Sequence, residues 1–198
     1  MPTTPLATAT ESHRFVATQH EIAHALAFIA HDRPFECVEV DEFGAGIVRV
    51  APGSRVSQNI RAKICMAGPA AELEYQIVRV GEESAVADLV GSWNLLLDLE
   101  LPDEDGTQSD EARAGGHLGW AAAWGMAFFR ANRELIDDVA TRLIGAGGYL
   151  TYDAVVELAE DAIDDPDEQV MVHMLSLFSG YSESIKRVEA HLEELHAQ

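Results

Sequence analysis

Residues 15 to 34 read FVATQHEIAHALAFIAHDRP. Phe15, Val16, Gln19, Ile22, Ala23, Leu26 and Ile29 recur at helical spacing on one broad face, with Gln19 the one polar intrusion. Thr10 or Ser12 is placed to cap the start. Pro34 marks the stop, because the residue before a proline avoids helical geometry. Inside this helix lies His20-Glu21-Ile22-Ala23-His24, an H-E-x-x-H pentad. Positions i and i+4 share a helix face, so His20 and His24 can present two imidazole nitrogens to one ion, at the roughly 2.0–2.1 Å that Zn²⁺ prefers. Glu21 falls at the edge of that ion, where a carboxylate can take a proton from an activated water. The spacing implies a hydrolytic zinc site. The plain alternative is two surface histidines beside an acid on an amphipathic helix. His31 suits a cation at the helix C-terminus better than a third ligand.

The rest of the chain bounds this reading. Its 198 residues suit one domain, or one domain with an appendage, and an apolar share of 47% provides a sizeable core. No apolar run reaches the roughly 18 residues of a membrane span. Residues 1 to 12 read as a disordered lead rather than a secretion signal, since Met1 to Thr10 has neither a basic nor an apolar stretch. Cys37 and Cys65 lack C-x-x-C spacing and read as two buried, reduced thiols, which points to the cytoplasm. A net charge of −21 repels nucleic acid and anionic membranes, so neither is an expected partner.

Beyond the pentad helix, Phe35 to Asp41 and Ile47 to Ala51 flank Gly44-Ala45-Gly46 and predict a two-stranded hairpin, the one β element expected. Ser54 or Ser57 opens a second helix to about Val80, which Gly68-Pro69 should kink or break. A third helix begins near Ser84 and carries Asp88. Residues 98 to 116, rich in Gly and acids, read as a loop, and the acidic run Asp98 to Glu111 as a solvated connector. A long helix follows from about His117 to Ile144, ended by Gly145, Gly147 and Gly148. Thr151 caps another from about Tyr152 to Ile163. Residues 13 to 164 thus form one domain. From 167 to 198 an apolar stripe from Met171 to Leu195 predicts a C-terminal amphipathic helix, for packing on the domain or for self-association. The expected class is mainly α with one small hairpin.

A catalytic zinc takes three protein ligands and keeps a fourth position open. A third histidine six residues after His24 is excluded, because residue 30 is Ala. Glu72, Glu74, Asp88 and His117 are the candidates, and spacing alone leaves them open.

Four stretches, in order, resemble the peptidase domain of FtsH-type zinc metalloproteases. They are TQHEIAHAL from Thr18, CMAGPAAELEY from Cys65, ESAVADLVGSWNLL from Glu83, and FFRANRELIDDVATRLIGAGGYLTYDAVVEL from Phe128. Together they span roughly residues 14 to 160. The second is similar to that family's Gly-Gly-Arg-Ala-Ala-Glu stretch. The third is similar to the helix whose Asp is the family's third zinc ligand. The resemblance implies a zinc metallopeptidase held together by His20, His24 and Asp88, with Glu21 as general base. Pro69 stands where the family has Arg, and Ala87 where it has Asn before the metal-binding Asp. The family's ATPase module and membrane helices have no counterpart here. The substrate implied is a flexible or unfolded polypeptide, handled by a homo-oligomer or with an ATPase supplied by a separate partner. Two alternatives stand beside it: a zinc peptidase completed by Glu72, and a non-catalytic interaction module on the same fold.

Overall fold

A computed structural model describes residues 9–50, 56–74, 110–167 and 169–173. The chain is mainly helical around a small antiparallel sheet. Its elements are α1 (Ala9–Ala30), β1 (Phe35–Val40), β2 (Gly46–Val50), α2 (Gln58–Glu74), α3 (Asp110–Ala131), α4 (Arg133–Gly145), β3 (Tyr149–Thr151) and α5 (Tyr152–Ala159). A single 3₁₀ turn, Glu160–Ala162, follows α5.

The pentad helix α1 is the central element, packed against α2, α4, α5, β1 and β2. It is buried on every side from Thr18 to Ile29, not along one face as its apolar spacing suggests. That is why so many polar residues of α1 (Thr18, Gln19, His20, Glu21 and His24) are buried too. Burial of such groups demands partners. Thr18 Oγ1 donates to Arg14 O at 2.6 Å, and Gln19 Nε2 donates to Asp137 Oδ1 on α4. The helix is already formed at Ala9, so Thr10 and Ser12 lie inside it, not at a cap. At the other end Asp32 turns left-handed (φ 52°). Arg33 N then reaches Phe28 O and Asp32 N reaches Ile29 O, both at 2.9 Å, which satisfies the last carbonyls before Pro34.

The hairpin forms as its sequence indicates. Val40 faces Gly46, Val38 faces Val48, and a bulge between Phe35 and Cys37 shifts the register before Phe35 meets Val50. Asp41 Oδ1 organises the turn by accepting from Phe43 N and Ala45 N, each at 2.8 Å. A third strand, β3, was not expected. It pairs with the free side of β1, giving the order β2-β1-β3 and leaving β2 at an edge. Gly148, with φ 88°, makes this possible, since a Cβ there would lie 2.1 Å from Val40 O.

Two helix expectations change. α2 starts where Ser57 caps it, with Ile60 N 3.4 Å from Ser57 Oγ, but it runs through Gly68-Pro69 without ending. Packing overrides the proline: Ala62, Met66, Ala67, Ala70 and Ala71 are buried, and α2 lies between α1 and α3. At the α2–α3 crossing Gly125 sits so near that a Cβ would come within 2.4 Å of Met66 O. The long helix expected over 117–144 is two helices that meet at Asn132, and α3 already begins at Asp110, inside the expected loop. Thr151 caps α5 as its position indicates, with Ala154 N 3.3 Å from its Oγ1. The third helix with Asp88, most of the acidic connector, and residues 174 to 198 of the C-terminal stripe lie outside the described residues.

Candidate metal centre

α1 brings His20 and His24 together edge to face, with Nε2 of one 3.0 Å from Nε2 of the other. Both are buried, 2% and 8% exposed, which sets aside the surface-histidine alternative. Each ring is held from behind. His24 Nδ1 lies 2.7 Å from Ile64 O, and His20 Nδ1 lies 2.8 Å from Glu72 Oε1, both on α2.

One anchor fixes a proton. A backbone carbonyl only accepts, so His24 Nδ1 must carry its hydrogen; Glu72 Oε1 lies at ion-pair distance from His20 Nδ1 but off the line of a hydrogen bond, so it offers charge without fixing that ring's tautomer. At 3.0 Å either His20 donates an Nε2–H to His24, or, with both Nε2 atoms bare, a cation lies between them. Two nitrogens bound to one tetrahedral zinc sit about 3.3 Å apart, given bonds of roughly 2.0–2.1 Å. Metal-bound histidines characteristically give their second ring N–H to a carboxylate or a carbonyl. The two nitrogens are close enough to share one ion, which would need further ligands beyond them.

Gly68 provides the space. A Cβ at this position would lie 2.3 Å from His24 Nε2 and 2.6 Å from His20 Nε2, so any side chain would fill the gap between the nitrogens. Glu21, 7% exposed, runs from α1 beneath the start of the edge strand, where a Cβ on Gly46 would come within 2.4 Å of its Cγ. Neither glycine was singled out as a site residue from sequence. Their signal was only smallness, which becomes informative once the helices are in contact.

The pentad opens on a cleft of about 300 Å³. α1 lines it with His20, Glu21, His24 and Phe28; β2 with Gly46, Ile47, Val48 and Val50; α2 with Arg61, Ile64 and Cys65. Cys65 is thus half-buried at the cleft rather than sealed in the core, while Cys37 is buried. Burial, with Glu39 beside it, pushes the Cys37 thiol up.

Among the candidates for a third ligand, Glu72 stands behind His20, on the Nδ1 side, rather than at the point the two Nε2 atoms share. His117, half-buried on α3, does not join them, and Glu74 closes α2. Among the described residues no His, Cys, Asp or Glu completes a group of three. Asp88 lies outside those residues. His31 lies just past the end of α1 and packs on α3. It stacks on Trp124 with ring centres 5.1 Å apart, and burial, followed by Lys63 and Arg33, lowers its pKa. No described helix is long and apolar enough to cross a membrane. No protein-family model matches this chain, and no curated protein matches it either.

Proposed function

We propose that the protein is a zinc-dependent metallopeptidase of FtsH-like type, acting on flexible or unfolded polypeptides. The observation that carries this reading is the pair of Nε2 atoms 3.0 Å apart, with His24 Nδ1 held by Ile64 O and Glu72 beside His20 Nδ1. His20 and His24 would hold the ion, with Asp88 as the third ligand implied by resemblance. The ion supplies a Lewis acid and lowers the pKa of water toward neutrality. Glu21 receives the proton from the attacking water and returns it to the leaving amine. Ile64 O would keep His24 aimed and in one tautomer, and Glu72 would stand beside His20 as a negative charge.

The edge strand supports a peptide substrate. β2 has a free side among the described residues, borders the cleft, and exposes Ile47 and Val50. An extended chain can add to such an edge by backbone hydrogen bonds. A cleft of about 300 Å³ takes a few side chains of an extended segment and no folded domain.

The test is metal content and proteolysis together. Wild type should bind one equivalent of zinc and cleave unfolded casein. Glu21→Gln should keep the zinc and lose at least about 100-fold in rate, the usual scale of general-base catalysis. His20→Ala and His24→Ala should lose the metal as well. Equal casein cleavage by wild type and Glu21→Gln would end this reading.

A further inference from the structure

The cleft carries one basic side chain, and its place suggests what the substrate must offer. Arg61 lines the cleft from α2 and is exposed. The chain has 13 bases against 34 acids, so a cation at a cleft with no carboxylate partner among the described residues is unusual here. Nearby Arg49, by contrast, is paired with Glu39 at 3.0 and 3.2 Å. No described carboxylate pairs with Arg61. The other side chains that α2 and β2 bring to the cleft, Ile64, Cys65, Ile47, Val48 and Val50, are uncharged.

Arg61, Ile64 and Gly68 recur at three and four residues and so share a face of α2. Gly68 lies against the two Nε2 atoms. Seven residues of helix at ~1.5 Å each put Arg61 about 10 Å along the helix from that point. An extended peptide covers the same distance in about three residues, at roughly 3.3 Å each.

We propose that Arg61 is a specificity-determining residue that binds a carboxylate of the substrate, about three residues from the bond held over the pentad. The intervening apolar side chains pack on Phe28, Ile64 and Val50. The carboxylate comes from an Asp or Glu side chain or from a peptide C-terminus. The proposal rests on the peptidase reading for the register, while the binding preference itself needs no catalysis.

The experiment measures binding by fluorescence anisotropy on the full chain carrying Glu21→Gln. The probes are labelled decapeptides of apolar residues in which one Asp, Asn or Lys is walked along the sequence, with free or amidated C-termini. One Asp register should bind about three- to tenfold more tightly than its Lys counterpart, the scale of an exposed charge pair. The gain should shrink between low and high salt, and Arg61→Glu, checked for fold by circular dichroism, should reverse it. A preference that survives amidation assigns the side chain; one abolished by amidation assigns the terminus. Equal binding of Asp and Lys peptides in every register, no binding at all, or an unchanged preference in Arg61→Glu would overturn the proposal. Casein cleaved in a Glu21-dependent way without such a preference sinks this inference alone. A preference without any cleavage sinks the peptidase reading and leaves this one standing.

Discussion

Gly68 sits where α2 meets the two imidazoles of the pentad. Inside a helix, alanine is ordinarily better than glycine by roughly 0.5–1 kcal/mol, so Gly68→Ala should fold. Its Cβ, however, would stand 2.3 and 2.6 Å from the two Nε2 atoms. Overpacking of that kind costs about 1–3 kcal/mol, here at the point the imidazoles share. Zinc affinity, measured by competition with a chelating dye, should fall about tenfold or more, and the thermal midpoint should fall by no more than the several degrees that a net cost of about 0–2 kcal/mol implies. Unchanged affinity would mean that the ion does not sit between these rings. The pentad itself was legible in the sequence because its spacing is local to one helix. Gly68, Gly46 and the carbonyl of Ile64 were not, because their roles exist only where α2 and β2 cross α1. Glu72 was legible as a relevant acid. That it reaches His20 from the Nδ1 side depends on the direction of a side chain, which no spacing encodes.

At the scale of elements, local pattern succeeded where an element is long or its turn is marked, as in α1, the glycine-rich hairpin turn and the Thr151 cap. It failed at β3, three residues long, too short for any alternation to register. It also failed at the junction of α3 and α4, since Ile136 N still reaches Asn132 O at 2.8 Å and the apolar rhythm passes through unbroken. Asn132, 2% exposed, makes that junction. Its Nδ2 donates to Phe128 O and to Asp164 O, both at 2.9 Å, and its Oδ1 accepts from Asp164 N at 2.8 Å. The side chain thus ties the helix break to the segment after α5. Asn132→Ala would leave these groups without their partner and should cost about 1–3 kcal/mol, read as a lower urea midpoint at unchanged slope. A loss within error would show that water replaces the amide and that the break is set by backbone alone.

At the scale of the whole molecule, mainly helical character and an acidic balance could be read from composition, but the way separate segments share one charged neighbourhood could not. His31 is the clearest case. It ends α1, stacks on Trp124 of α3, and feels Lys63 of α2, its own neighbours Arg33 and Asp32, and Asp165 beyond α5. Trp124 continues the stack onto Phe128, ring centres 4.7 Å apart, and Lys63 Nζ lies 4.3 Å from the centre of the Trp120 ring. Burial comes first, then the two cations, in holding His31 below the 6.5 of a free imidazole. In the window between its folded value and 6.5, the unfolded chain binds more protons than the folded one, so stability rises with pH there. The contribution of a neutral His31 is present above about 6.5 and is lost as pH falls below it. Acidification also reduces the net charge of −21 and eases self-repulsion, which acts in the opposite sense but equally in a variant. His31→Phe keeps the stack and removes the titration. On passing from pH 7 to pH 5.5 at constant salt, wild type should therefore lose unfolding free energy relative to His31→Phe. Parallel curves for the two proteins would show that the imidazole takes up its proton as readily in the fold as outside it, and that the α1–α3 junction tolerates a second cation beside Lys63.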